Sequence, residues 1–178
     1  MKPKLKTRTE GVLTILNILA WIAFLGFMIE AGGVLVSYGI SYIHPDAARN
    51  IYMGLNLYNV SQFSFWHYTL SVLLLVTLSG MKAFVFFLAT KILSKVNMAN
   101  PFKTEVGHLI QRIGYVLLVS WFFAIAANAH TAWLEKTTGE LQGNWVATDI
   151  IFMAGLVFII SQVFKRGVEI QSENELTV

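Results

Sequence analysis

The side chains of this sequence best suited to chemistry are three of its four histidines, one glutamate and one asparagine. They are Glu30, His44, His67, Asn128 and His130. Imidazole and carboxylate groups bind divalent metals, paired histidines on facing helices ligate haem, and histidine changes charge near neutral pH. Their spacing matches no metal-binding motif such as His-x-x-Glu-His. The five residues therefore form a candidate cluster for a metal, a haem or a proton-responsive site, or one that only hydrogen-bonds within itself and to water.

The elements that position these side chains are expected to be embedded in a membrane, because the chain is unusually apolar. Of its 178 residues, 56% are hydrophobic and 13% are charged, whereas an average soluble domain has about 25% charged residues. Cysteine is absent from the sequence. This composition disfavours a soluble enzyme, a disordered chain, a disulfide scaffold and a nucleic-acid-binding protein. It predicts an integral membrane protein.

Four stretches of the sequence are long and apolar enough to cross a bilayer, which takes about 20 residues of helix. Helix is required because lipid offers no hydrogen-bond partner to backbone N–H and C=O groups. We place the spans at about 11–36, 64–89, 109–133 and 147–165. The predicted fold class is therefore all-α, a four-helix integral membrane bundle forming a single domain over residues 1–178. The loop between the first two spans, 44–63, is apolar, and we expect it to lie on the membrane or to fold over the end of the bundle.

Basic residues predict the orientation of the spans. Ten of the 13 Lys and Arg residues lie before span 1, between spans 2 and 3 or at the start of span 3, or at and after the end of span 4. The positive-inside rule then places both termini in the cytoplasm. We expect a multi-pass protein of a bacterial inner membrane, with the loop 44–63 outside and a tail, 167–178, inside. The net charge of +3 follows from these topological signals, so we expect contact with lipid headgroups and none with nucleic acid directly.

Two charged residues, Glu30 and Lys82, lie at least six residues from either end of a predicted span. Glu30 lies 19 residues beyond Gly11, and a rise of 1.5 Å per residue places it about 28 Å along the helix, near the outer surface. The same rise places Lys82 about 27 Å down span 2, near the inner surface. We therefore expect Lys82 to extend to the inner headgroups and not to pair with Glu30, which we group with the histidines.

The inner side of the chain carries three motifs that resemble a known family. They are Asn100-Pro101-Phe102 at the entry to span 3, Ile-Gln-Arg-Ile-Gly from Ile110 to Gly114, and the tail from Arg166 to Val178. Together they resemble the bacterial membrane family catalogued as domain of unknown function 2975 (DUF2975). The resemblance implies a small four-helix membrane protein without an assigned activity, and no catalytic residues carry over. Members of that family are often encoded beside a small Cro-type helix-turn-helix regulator, which implies a DNA-binding protein as a cytoplasmic partner.

The inner segments also predict a docking surface for such a partner, because the entry to span 3 is amphipathic and the tail is acidic. The candidate docking residues are Asn100, Pro101, Phe102, Arg112, Gly167, Glu169, Gln171, Glu173 and Leu176. Our first hypothesis is a sensory or regulatory signalling protein that holds a regulator at the membrane, and no catalytic constellation in the sequence favours an enzyme. Two alternatives stay open. One is a subunit of a small transporter or channel, which would require a homo-oligomer, and the other is a metal or haem protein ligated by His67 and His130, although we predict no cofactor.

Overall fold

The computed structural model describes residues 8–96, 102–139 and 147–175. Its elements are α1 (Arg8–Ile43), a 3-10 helix (Pro45–Asn50), α2 (Tyr58–Phe63), α3 (Phe65–Lys95), α4 (Thr104–Thr138) and α5 (Ala147–Glu175). Four of them, α1, α3, α4 and α5, are long and apolar enough to cross a membrane. The predicted all-helical architecture with four membrane helices is thereby confirmed.

Local sequence explains where these helices begin and end. α1 ends at Ile43, just before His44 and Pro45, because proline disfavours helical geometry in the residue before it. Ser64 adopts an extended conformation with φ −162° and ψ 124°, which separates α2 from α3. α4 ends at Gly139, whose left-handed conformation with φ 74° is the usual helix-terminating geometry of glycine.

The long helices pack in the order of the chain. α1 packs on α3, α3 packs on α4, and α4 packs on α5, while no other pair of these helices is in contact over the described residues. α1 and α5 therefore form the two edges of an open row. Most of their large apolar side chains are exposed in the isolated chain, and in a bilayer such side chains face lipid.

The loop between α1 and α3, residues 44–63, folds over one end of the row, and we call it the cap. Ala48, Ile51, Leu57 and Val60 are each no more than 1% exposed. They form one hydrophobic cluster with residues of the long helices, which are Val34, Tyr68, Val72, Leu75 and Leu134. Of the two expectations for this loop, the structure shows the second, because its apolar side chains complete a core that α1, α3 and α4 leave open at this end.

Polar contacts hold the cap in shape. The Arg49 guanidinium lies 4.0 Å above the centre of the Tyr58 ring, and its Nε donates a hydrogen bond of 3.2 Å to Asp46. The hydrogen bond to Asp46 raises the pKa of Arg49. The backbone N–H of Gly54, which has a positive φ of 88°, donates to the Asn50 side chain at 2.9 Å. The cap is therefore a built element with its own turn.

Candidate functional site

His67 and His130 form a direct pair beneath the cap. His67 lies in the first turn of α3 and His130 near the end of α4. The distance from His67 Nδ1 to His130 Nε2 is 3.2 Å, and the two rings are stacked with their centroids 5.4 Å apart. One imidazole must donate a proton and the other must accept it, so at most one of these two nitrogens carries a hydrogen in this arrangement. The pair joins α3 to α4 through a single shared proton.

Aromatic rings cover this histidine pair. The centroid of the Trp133 ring lies 4.6 Å from that of the His67 ring. The ring of Phe63, the last residue of α2, has its centroid 6.0 Å from that of His67. Phe63 also contacts Trp133 at 6.1 Å. The cap therefore closes over the pair, and both imidazoles are half-buried.

The pair as it stands holds a proton, and a metal bound by both rings would need additional ligands. Over the described residues, no group of three His, Cys, Asp or Glu side chains is arranged to hold a metal ion. A bis-histidine metal or haem site at His67 and His130 therefore stays a prediction. Water or a cofactor's own donor atoms would have to complete its coordination.

Two further members of the predicted cluster lie apart from the pair. The side chain of His44 is exposed in the junction between α1 and the 3-10 helix, where its backbone N–H donates to Ile40 at 2.8 Å. Asn128 is half-buried on α4, two residues before His130. Two residues turn a helix by about 200°, so Asn128 and His130 face different sides of α4. Of the five predicted residues, the structure therefore shows His67 and His130 in direct contact, under an aromatic cover.

Glu30 lies far from the histidines. It accepts a hydrogen bond of 2.8 Å from Ser79, and Ser79 lies 12 residues along α3 from His67, a distance of about 18 Å along the helix axis. The expected depth near the outer surface was wrong. The estimate began at Gly11, whereas the register of α1 is set by its other end, where Tyr38 hydrogen-bonds to Thr69 at 2.9 Å.

Lys82 lies at nearly the same depth as Glu30. Its Nζ lies 5.5 Å from the centre of the Phe27 ring, and Phe27 is one helical turn from Glu30, as Lys82 is from Ser79. The two contacts, Glu30 with Ser79 and Phe27 with Lys82, are therefore successive steps of the antiparallel α1–α3 interface. The expectation that Glu30 and Lys82 lie at opposite depths was wrong for the same reason of register.

At the other end of the row, the beginning of α4 packs against the end of α5. The Phe102 ring lies 5.2 Å from the Phe164 ring, and a Cβ atom at Gly167 would lie 2.6 Å from the Phe102 ring. Only glycine allows this approach. The predicted docking residues Phe102 and Gly167 are thus brought into direct contact.

The remaining predicted docking residues that the structure describes lie outside the Phe102–Gly167 contact. Arg112 is exposed on α4, and Glu169 is exposed on α5, where it accepts a hydrogen bond of 2.9 Å from Arg166. Further along α5, Gln171 is half-buried and Glu173 is exposed. The other three predicted positions, Asn100, Pro101 and Leu176, lie outside the described residues.

A polar groove between α4 and α5 contains residues that the sequence argument missed. Its volume is about 170 Å³, and it is lined by Thr104, Gly107, His108, Gln111, Ser161, Gln162, Lys165 and Val168. We call it the inner groove. The signal was present in the sequence, because the polar residues of α4 recur at the i, i+4 and i+7 spacing of a helix face. It was overlooked because His108 stands apart from the other three histidines.

The comparisons with known proteins bear on this chain through one family. The family model described as "Protein of unknown function (DUF2975)" matches residues 42–178. That match covers the cap, α3, α4 and α5 and includes the last two residues of α1. Neither the curated proteins nor the solved structures gave a match to the chain.

Proposed function

The chain belongs to the DUF2975 family of proteins of unknown function, and we propose that it is a sensory or regulatory membrane protein that docks a cytoplasmic partner. Its four apolar helices make it a multi-pass membrane protein. In the proposal, both termini face the cytoplasm of a bacterial cell. The partner is a small helix-turn-helix regulator, held at the membrane until an event at the cap changes the helix packing.

The observation that carries the proposal is the extension of α5 beyond its apolar part. The uncharged run of α5 ends at Lys165, and the helix continues to Glu175, which adds about 15 Å of helix beyond the last apolar turn. Ile170 is 46% exposed on this extension and Phe102 is 40% exposed beside it. This projecting helix, with an apolar side chain among charged ones, offers a surface on which a cytoplasmic protein can dock.

α4 connects this surface to the histidine pair. It runs unbroken from Thr104 to Thr138, with His130 near one end and Phe102 just before the other. Gly114 and Gly107 bring it close to α5, since a Cβ atom at these positions would lie 3.7 Å from Val157 and 3.4 Å from Phe164. A change in the protonation or occupancy of the pair would alter the α3–α4 contact, and α4 would carry that shift to α5.

Co-purification with the regulator encoded by the neighbouring gene tests the docking role. We expect the full chain in membranes to retain the purified regulator, and a chain lacking residues 167–178 to lose it. Because the deletion removes part of a helix, a point variant is also needed. Ile170→Ala should weaken retention, whereas Ile43→Ala, which changes another exposed isoleucine (74% exposed) at the cap end of α1, should not. Retention of the regulator by both the truncated chain and Ile170→Ala would contradict the proposal.

The histidine pair is the basis of a second candidate function, a metal or haem protein. Two imidazole nitrogens 3.2 Å apart at one end of the helix row would supply two ligands. An absorption spectrum and metal analysis of the purified chain test this candidate. A haem band or a bound metal that is lost in His130→Ala and kept in His44→Ala would support it, and metal-free, colourless protein from cells supplied with both would count against it.

A further inference from the structure

We propose that the inner groove is a binding site for a phosphate group, carried by an anionic phospholipid or by a small soluble phosphate. The groove is defined by Thr104, His108 and Gln111 of α4 and by Ser161, Gln162 and Lys165 of α5. This inference does not rest on a docked protein partner. It concerns a different face of the α4–α5 pair from the exposed Ile170.

The chemistry of the lining fits a phosphate. Lys165 supplies an ammonium, Gln162 supplies amide N–H groups, and Thr104 and Ser161 supply hydroxyls, so donors come from both walls. Gln111 Nε2 donates one of its two hydrogens to the Tyr115 hydroxyl at 3.0 Å, which leaves the other for the groove. A phosphate presents several acceptor oxygens, and charge-assisted hydrogen bonds to such oxygens are stronger than neutral ones. The volume of about 170 Å³ exceeds that of one or two waters, each of which takes about 30 Å³ in the liquid.

The charge balance around the groove also favours an anion, because no carboxylate of the described residues lines it. Glu105 on α4 is paired with Lys95 of α3. Glu169, one turn beyond Lys165 on α5, is paired with Arg166. The nearest acidic residues of the two walls therefore form ion pairs with other basic side chains. The ammonium of Lys165 gives the groove a positive charge.

The position of the groove brings it to the level where phosphates are found in a bilayer. The uncharged part of α5 ends immediately before Lys165, and that of α4 begins immediately after Arg112. The groove therefore lies at the boundary between the apolar and polar parts of both helices. Headgroup phosphates of a membrane are concentrated at this boundary, and soluble phosphates reach it from the adjacent aqueous side.

Native mass spectrometry of the full chain in a neutral detergent tests the site. The lipid arm compares phosphatidic acid, which exposes a phosphate, with phosphatidylcholine, whose phosphate is covered by a quaternary amine. The soluble arm measures inorganic phosphate, by direct binding and by competition with retained phosphatidic acid. We expect Lys165→Gln to raise the dissociation constant about tenfold or more, the loss typical of one charged hydrogen bond.

Lys91→Gln is the matched control. Lys91 is an exposed lysine of α3 at the same end of the helix row as the groove, and its ammonium contacts the Phe87 ring instead of the groove. Lys165→Arg keeps the positive charge and should retain binding. Comparison with Lys165→Gln then separates loss of charge from loss of fold. Selective phosphatidic acid binding that depends on Lys165 identifies a lipid site, and phosphate binding that depends on Lys165 identifies a soluble ligand. Equal losses in Lys165→Gln and Lys91→Gln, or no binding in either arm, would overturn the proposal.

Discussion

At the scale of single residues, the histidine pair is the contact with the most specific geometry. It is one interhelical hydrogen bond between half-buried rings, and such bonds stabilise membrane proteins by about 0.6 kcal/mol on average and up to about 1.7 kcal/mol. We expect His130→Ala to lower the free energy of unfolding by about 1 kcal/mol, because the bond and the stacked ring are both lost. Thermal unfolding in detergent, followed by circular dichroism, measures the change.

The control for this prediction is His44→Ala, because the side chain of His44 is exposed. It should leave the unfolding temperature unchanged. Equal loss of stability in the two variants would show that the pair contributes nothing specific.

A second residue-scale prediction concerns the serine that bonds Glu30. Ser79 is 1% exposed, and its hydroxyl donates to the Glu30 carboxyl, so Ser79→Ala should cost about 1 kcal/mol by leaving the carboxyl without that donor. Ser71→Ala is the matched control on the same helix, since the Ser71 hydroxyl is buried without a hydrogen-bond partner among the described residues. That variant should be neutral or slightly stabilising. Denaturant unfolding of both variants decides the point, and a costlier Ser71→Ala would refute it.

The sequence predicted the positions of the two histidines correctly and the depths of Glu30 and Lys82 incorrectly, for physical reasons. His67 and His130 could be paired because each lies at the end of a span, where the polar stretch limits its depth. Glu30 and Lys82 could not be placed, because depth in the middle of a long helix depends on register. That register is set by contacts at the far end, Tyr38 with Thr69 and Ser41 with Tyr68.

At the scale of elements, the cap is the part whose packing partners are hardest to predict from the sequence. An apolar loop indicates burial but not a partner, and only the structure shows Leu57 and Val60 inserted among α1, α3 and α4. The 3-10 helix and α2 are too short to show a hydrophobic period. Their place could therefore be predicted in outline and not in detail.

Truncation of the cap core gives a prediction at this scale. Leu57 is 1% exposed, and Leu57→Ala should cost about 3 kcal/mol because burial is lost and a cavity is left. Leu73→Ala makes the same change at a residue that is 53% exposed on α3 and should cost less than about 1 kcal/mol. Urea unfolding in detergent compares the two variants. Similar costs would mean that the cap is not part of the folded core.

At the scale of the whole molecule, the family match covers three of the four long helices of the open row and only the end of the fourth, the edge helix α1. The family match covers residues 42–178, which contain the cap, α3, α4 and α5. α1 packs on α3 and on the cap alone among the described elements. The histidine pair, the inner groove and the extension of α5 all belong to the matched part. The Glu30 contact is the exception, because it joins the edge helix to that part.

Orientation is the whole-molecule property that the fold leaves open, and the absence of cysteine makes it directly measurable. Met53 is 89% exposed in the cap, and Ser172 is exposed on the extension of α5, so Met53→Cys and Ser172→Cys each introduce a single thiol at opposite ends of the row. The excess of Lys and Arg on one side predicts both termini inside. A membrane-impermeant maleimide should therefore label Met53→Cys in intact cells and Ser172→Cys only after permeabilisation. The parent chain, which has no thiol, supplies the background. The opposite labelling pattern would place the cap in the cytoplasm, and the extension of α5 could then no longer meet a cytoplasmic regulator.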